Sequence, residues 1–118
     1  MNKNLIIIFL SFFIIITLFT IAALIPRNSV NYTPPGGDDL VHVYIYLILS
    51  LLLCISKTMH VKYVCLIIFS HSFLIEILQF IVGRNFSYID ILYNGVGISL
   101  GISIYFCINK IILSIRKF

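Results

Sequence analysis

All four acidic residues of this 118-residue chain lie toward the same ends of its long apolar segments, together with an arginine and several uncharged polar residues. Such groups are costly in a bilayer unless they pair with one another or line a wet cavity, so they predict a functional site. The chemistry that they suggest is proton exchange, with His42 and Glu76 as candidate catalytic residues, or binding of a polar ligand. The predicted polar cluster comprises Asp38, Asp39, His42, Tyr46, Glu76, Gln79, Arg84, Asp90 and Asn94.

The spacing of these residues predicts that those on the same helix share one face of it. His42 and Tyr46 are four residues apart, as are Asp90 and Asn94, and residues with this spacing are neighbours on a helix surface. Glu76 stands six residues before the end of its apolar segment, so the helical rise places it roughly 9 Å inside the membrane end. If these faces point toward each other, the residues form one cluster.

Arg84 and the two aspartates that precede the second span have predicted local contacts. Arg84 directly follows the third apolar segment, and its planar guanidinium group binds carboxylates or phosphates through paired hydrogen bonds. We therefore expect Arg84 to pair with Glu76 or Asp90. Either Asp38 or Asp39 is predicted to be the N-cap of the second span, because a carboxylate accepts hydrogen bonds from free backbone N–H groups.

Composition predicts an all-α, polytopic membrane protein. Hydrophobic residues make up 61% of the chain, charged residues only 10%, and the mean hydropathy is +1.13, far from the balance of a soluble domain. A spanning helix needs about 20 apolar residues, so the chain has room for four spans and no separate soluble domain. The predicted spans are 4–25, 40–56, 61–82 and 88–113, in a single domain 1–118. A cleaved signal peptide is the competing interpretation of the first span, although its apolar run exceeds the roughly 7–15 residues of a signal core.

The distribution of lysine and arginine predicts the orientation. One side carries Lys3, Lys57, Lys62, Lys110, Arg116 and Lys117, and the other carries Arg27 and Arg84. An excess of these residues marks the cytoplasmic side, so we expect both termini in the cytoplasm and the polar cluster on the outer side of the cytoplasmic membrane. The net charge of +4 then reflects topology and contact with anionic lipids, and we expect membrane lipids but no nucleic acid as partners.

The glycines of the fourth span predict close helix packing. Gly97 and Gly101 have the GxxxG spacing that lets two helix backbones approach in lipid, and Gly95 lies on the same helix. The sequence leaves open whether this contact lies within one monomer or between monomers in an oligomer.

The remaining chemistry-bearing residues favour structural roles. His71 falls near mid-membrane, and we expect a neutral imidazole that is hydrogen-bonded to another helix. Cys54, Cys65 and Cys107 have no CxxC spacing and are interpreted as small buried apolar fillers. Because no metal-binding spacing such as HExxH occurs either, the sequence predicts no metal and no cofactor.

The polar residues of the second half of the chain also form a recognisable motif. Their order resembles the ExxQ…R…DxxxNxxG pattern of VanZ-like membrane proteins. The residues that carry this resemblance are Glu76, Gln79, Arg84, Asp90, Asn94 and Gly97.

The resemblance extends upstream, from Asp38 through Asp39 and His42 to Tyr46, and so covers most of the chain up to Gly101. This segment is similar to the acid, histidine and aromatic motif of the VanZ-like family, except that Asp39 stands where the family often has lysine. Membership would imply four helices and an outward polar site. The family's named member is associated with resistance to the glycopeptide teicoplanin.

The leading functional hypothesis is a cell-envelope protein whose outer pocket binds a lipid-linked, anionic or glycopeptide-related ligand. In this hypothesis Arg84 contacts an anionic group, while Gln79 and Asn94 provide uncharged donors and acceptors. Glu76 and Asp90 would orient these three residues.

Two other hypotheses stay open. In the first, the protein is a membrane hydrolase or transferase in which His42 and Glu76 exchange protons with a lipid-linked substrate. In the second, the polar residues satisfy one another and only hold the four helices together, as polar residues in membranes often do.

Overall fold

Four α-helices make up the computed structural model, which describes residues 2–25 and 37–118 except for the side chain of Asp38. The helices are α1 (Lys3–Ala23), α2 (Gly37–Ile55), α3 (Val61–Ile81) and α4 (Tyr88–Ile115). Three of them, α1, α3 and α4, are long and apolar enough to cross a membrane, which indicates a membrane protein. With 19 residues, α2 is roughly 28 Å long, close to the thickness of a bilayer's hydrocarbon core. The predicted exposed loop at 27–37 lies almost entirely outside the described residues.

The helix ends follow local sequence signals. Ser87 caps α4, since its hydroxyl oxygen accepts a hydrogen bond from the backbone N–H of Asp90 at 3.2 Å. Asp90 lies in the first turn of α4, as predicted. The prediction that Asp38 or Asp39 caps α2 is wrong, because the helix already begins at Gly37. Both acidic residues instead belong to the first turn, near the positive end of the helix dipole.

Close contact between α2 and α4 forms the most extensive helix interface. A Cβ atom on Gly97 would collide with the backbone carbonyl oxygen of Val43, and one on Gly101 would collide with that of Leu47. The predicted GxxxG contact is therefore confirmed, and it lies within the monomer. Gly95 has open space where a Cβ would stand, so it makes no such close contact within the monomer.

Most of the buried core lies on α2, α3 and the facing part of α4. The core consists of Phe12, Tyr46, Leu49, Leu53, Cys54, Val64, Ile68 and Ile98. The outer surface is also apolar, as shown by Phe80 and Ile81, which are 66% and 71% exposed. The prediction of buried cysteines holds for Cys54, whereas Cys65 and Cys107 are exposed. A bilayer removes the penalty for exposing apolar groups, so a thiol on the lipid-facing surface needs no burial.

Candidate functional site

Three helices bring the predicted candidate residues together at one end of the bundle. His42 near the start of α2, Glu76 near the end of α3 and Asp90 at the start of α4 each place a potential ligand atom within 4.8 Å of the other two. His42 Nε2 lies 3.9 Å from Asp90 Oδ2. His42 and Glu76 are buried, whereas Asp90 is partly exposed. These three residues are called the carboxylate–histidine triad below.

Asn94 fixes the orientation of the His42 ring. His42 Nδ1 lies 2.8 Å from Asn94 Oδ1, and Asn94 Nδ2 donates to Ser72 Oγ at 2.7 Å. Because the amide oxygen only accepts, His42 Nδ1 donates in this bond, and Nε2 is the ring nitrogen left for other contacts. The ring therefore directs Nε2 toward Asp90. Asn94 thus positions a member of the triad from inside the bundle, where Asn94 itself is fully buried.

Glu76 is fully buried, with no exposed surface. Its Oε2 accepts a hydrogen bond from the backbone N–H of Ser87 at 3.2 Å, next to the N-terminus of α4. Its Oε1 is buried and has no hydrogen-bond partner among the described residues. A buried carboxylate oxygen of this kind is expensive to leave unsatisfied. Glu76 therefore has one oxygen held by α4 and a second one available to a ligand.

Gln79 and Arg84 do not join the triad but meet at the end of α1. Gln79 Nε2 donates to the carbonyl oxygen of Ala23 at 3.1 Å, and Arg84 Nη1 donates to the same oxygen at 2.7 Å. The prediction that Arg84 pairs with Glu76 or Asp90 is wrong, since no ion pair joins Arg84 to either acid. The reason is that the last carbonyl groups of α1 lack intrahelical donors and carry partial negative charge.

Tyr46 belongs to a separate polar contact deeper in the bundle. Its hydroxyl group lies 3.1 Å from His71 Nδ1, and His71 Nε2 lies 3.0 Å from Thr20 Oγ1. The Thr20 hydroxyl donates to the carbonyl oxygen of Ile16 at 2.7 Å, so His71 Nε2 donates to Thr20 and Nδ1 accepts from Tyr46. A neutral imidazole satisfies both bonds, which confirms the predicted role of His71 as a link between helices.

A partly open cavity of about 170 Å³ lies between the end of α1, the start of α2 and the end of α3. The residues that line it are Phe19, Ala22, Ala23, Val41, His42, Gln79 and Arg84. His42 therefore contacts both the cavity and the carboxylate–histidine triad. The cavity combines an apolar wall with three polar side chains, and this is the usual character of a small ligand site.

Two predicted members of the polar cluster, Asp38 and Asp39, are not shown to contact the triad. Asp39 is exposed at the start of α2, and no hydrogen bond joins it to the described residues of the triad. The side chain of Asp38 lies outside the described residues.

Two groups that contact the predicted residues were missed by the sequence analysis. Ser87 could have been found from its position three residues before Asp90, which is typical of an N-cap. The carbonyl group of Ala23 leaves no signal in the sequence.

Comparison with known proteins found no related protein. No family model, no curated protein and no solved structure matches the chain. The resemblance to VanZ-like proteins therefore depends on the motif residues alone. The structure places the motif residues Glu76, Asp90 and Asn94 around His42, and it places Gln79 and Arg84 at the neighbouring end of α1.

Proposed function

We propose that the chain is a VanZ-like protein of the cytoplasmic membrane, in which the cavity binds the polar headgroup of a lipid-linked, anionic cell-envelope ligand. In this proposal α2 also crosses the membrane, which brings the number of spans to four. Both termini then lie in the cytoplasm, and the cavity opens outward. The observation that carries the proposal is the position of Arg84 and His42 on one cavity, beside the apolar side chains of Phe19 and Val41.

The lining of the cavity suits an amphipathic ligand. The guanidinium group of Arg84 offers several N–H donors in one plane, which matches the oxygens of a phosphate or carboxylate group. Gln79 adds an amide, and His42 adds a ring nitrogen. Phe19 and Val41 provide an apolar surface for the first carbons of a lipid chain. Arg84 also bonds to Ala23, so the cation has a defined position before a ligand arrives.

The size of the cavity limits the ligand class. A volume of about 170 Å³ corresponds to the space of roughly five or six liquid water molecules. A single phosphate or sugar ring fits this space, whereas pockets for drug-sized molecules are typically about 300–1,000 Å³. A teicoplanin-type glycopeptide is larger still. Any contribution to glycopeptide resistance would therefore act through a lipid-linked envelope component and not through enclosure of the drug.

The orientation is supported by charge. Five of the six basic residues predicted to be cytoplasmic lie at or beyond the helix ends opposite the triad, Lys110 lies in the last two turns of α4, and Arg84 lies beside the cavity. Positive residues in short loops favour the cytoplasmic side. In this orientation the cavity opens toward the outer leaflet of the membrane.

A binding experiment tests this function. The purified protein in lipid nanodiscs is mixed with a polyprenyl phosphate, and retained lipid is measured by native mass spectrometry beside a polyprenol of equal chain length. We expect retention of the phosphate form, reduced about tenfold by Arg84→Gln, since one lost charged hydrogen bond corresponds to about that factor. Lys57→Gln is the matched control, because it removes one positive charge from the opposite end of the bundle.

The outcome separates binding from folding. Arg84→Lys keeps the charge and should recover part of the phosphate binding, whereas thermal unfolding of each variant reports the loss of the Ala23 contact. If Arg84→Gln binds polyprenyl phosphate as tightly as the original protein, the proposed function is refuted.

The enzymatic alternative is favoured by one observation, the approach of His42 and Glu76 to within 4.8 Å on separate helices. This distance allows proton exchange through one water molecule. Turnover of lipid-linked sugars that disappears in Glu76→Gln at intact fold would establish it. The structural alternative is favoured by the bonds of Gln79 and Arg84 to Ala23, and it predicts that variants lose stability without any loss of ligand.

A further inference from the structure

The carboxylate–histidine triad brings two acidic side chains close together in a largely buried place. Two carboxyl groups and an imidazole place potential ligand atoms within 4.8 Å of one another, and Glu76 is fully buried. Two ionised acids this close in a poorly hydrated place repel each other strongly. Arg84, the nearby cation, donates to Ala23 and forms no ion pair with either acid of the triad. A proton or a bound cation would remove this repulsion.

An unpartnered atom points to where that charge binds. Glu76 Oε1 is buried without a hydrogen-bond partner among the described residues, whereas Oε2 is held by Ser87. His42 Nδ1 is committed to Asn94, which leaves Nε2 as the ring nitrogen available to an ion. Asp90 Oδ2 lies 3.9 Å from that nitrogen. One potential ligand atom from each of the three residues, on three helices, thus lies within 4.8 Å of the other two.

The surroundings of the ring resemble those of a metal-binding histidine. Histidine ligands usually donate the second ring N–H to a carbonyl or carboxylate oxygen, which sets the tautomer and the direction of the ring. Here Asn94 Oδ1 accepts that proton at 2.8 Å, and Ser72 in turn holds the Asn94 amide. This chain of bonds is buried, so the direction of His42 Nε2 is fixed before any ion arrives.

We propose that His42, Glu76 and Asp90 bind one divalent transition-metal ion of the Zn²⁺ class. The charge of the ion neutralises the two carboxylates, and Glu76 Oε1 gains the partner that it lacks. The inference does not depend on headgroup binding, because Arg84 and Gln79 take no part in the triad. It also differs from the sequence-based expectation of no metal. The three ligands come from three helices and are far apart in the sequence, so they form no short motif of fixed spacing.

The donor set selects the class of ion. Zn²⁺ is bound by histidine nitrogen and carboxylate oxygen, commonly with three protein ligands and one position open to water or another ligand. Mg²⁺ and Ca²⁺ prefer oxygen ligands only, so the imidazole disfavours them. His42 also lines the cavity, which gives the open position a path to solvent.

The distances require only a small adjustment. Zinc bonds of about 2.0–2.2 Å put ligand atoms roughly 3.3–3.6 Å apart in a tetrahedral site. The donor atoms of the triad lie within 4.8 Å, so ion binding requires them to approach by about 1 Å. Asp90 is partly exposed at the first turn of α4 and has the freedom to make this movement.

A metal-binding experiment tests the proposal. Untagged protein in detergent is stripped with a chelator, dialysed against Zn²⁺, and analysed for bound zinc by mass spectrometry. We expect one ion per monomer and a rise in thermal unfolding temperature on zinc addition. Glu76→Gln and Asp90→Asn keep the side-chain shapes and should weaken zinc binding about tenfold or more, given the effects of altered metal sites. His60→Gln is the matched control, because His60 is exposed at the opposite end of the bundle.

A second measurement uses the unaltered protein, so that the proposal can be tested even if the variants do not fold. Co²⁺ substituted into the unaltered protein should give the visible absorption of a four- or five-coordinate ion, in contrast to the weak spectrum of hydrated Co²⁺. Absence of stoichiometric zinc and of this spectrum in the unaltered protein overturns the proposal, and so does equal zinc binding by Glu76→Gln and Asp90→Asn at intact fold. Loss of zinc in His60→Gln would assign the ion to another place and refute the triad.

Discussion

His42 Nδ1 lies 2.8 Å from Asn94 Oδ1, and this hydrogen bond joins two residues 52 positions apart in the chain. It connects α2 to α4 beside the glycine contact, and Asn94 extends it to Ser72 on α3. One buried side chain therefore ties three helices together. The same bond sets which nitrogen of His42 faces Asp90, so the stability of the bundle and the chemistry of the triad share one residue.

Removal of the Asn94 amide should destabilise the protein. Asn94→Ala deletes the bonds to His42 and Ser72 in a fully buried place, so the free energy of unfolding should fall by about 1–3 kcal/mol. Unfolding by sodium dodecyl sulfate in mixed micelles, followed by circular dichroism, measures this change. Ser99→Ala on the same helix is the control, because Ser99 is exposed and bonds only within its own helix. Equal stability of the two variants would contradict the assigned role of Asn94.

The glycine contact predicts opposite results at two neighbouring positions. Gly97→Ala places a methyl group against the backbone of Val43, which has little freedom to retreat, so we expect a loss of about 1–3 kcal/mol in unfolding free energy. Gly95→Ala meets open space and should be neutral or slightly stabilising, since alanine favours a helix. The same unfolding titration compares both variants. If Gly95→Ala proved the more harmful, the packing of α4 on α2 would have to be reassigned.

Gln79 should contribute to the attachment of α1. Gln79→Met keeps the approximate volume but removes one of two donors to the Ala23 carbonyl, so unfolding free energy should fall by about 0.5–1.5 kcal/mol. Proteolysis of the α1 end in micelles should become faster as well. Ile81→Met, on the exposed surface of the same helix, provides the comparison. An unchanged α1 attachment in Gln79→Met would leave Arg84 as the sole effective donor to that carbonyl.

Membrane topology can be checked by cysteine labelling. After replacement of the three native cysteines by alanine, a cysteine at Asn85 should react with a membrane-impermeant maleimide in intact cells, and one at Lys57 should react only after the membrane is opened. Both positions are exposed in short turns at opposite ends of the bundle. Reaction of Lys57→Cys from outside would reverse the proposed orientation and place the cavity in the cytoplasm.

The positions of the helices were largely predictable, because they depend on local properties of the chain. The predicted spans 61–82 and 88–113 differ by at most two residues per end from α3 and α4, since apolar length and turn residues are visible along the sequence. The predicted convergence of His42, Glu76 and Asp90 also agrees with the structure, because their helix faces follow from spacing.

Pairing was less predictable, and Arg84 shows why. Its two acidic neighbours in the membrane plane were the expected partners, yet it donates to the Ala23 carbonyl. A backbone carbonyl has no identity in the sequence, and its availability depends on where α1 ends relative to α3. The exposure of Cys65 and Cys107 was missed for a related reason, since lipid-facing and buried surfaces are both apolar.

The sequence by itself determined an α-helical membrane protein with its polar residues gathered at one end, because hydrophobicity and helical period are local quantities. Only the tertiary structure decided that Asn94 orients His42, that Glu76 keeps an unpartnered oxygen, and that Arg84 and Gln79 share one carbonyl group. These relationships depend on the rotation and depth of each helix against its neighbours. In a uniformly apolar chain, close packing at sites such as Gly97 sets those two quantities, and hydropathy does not.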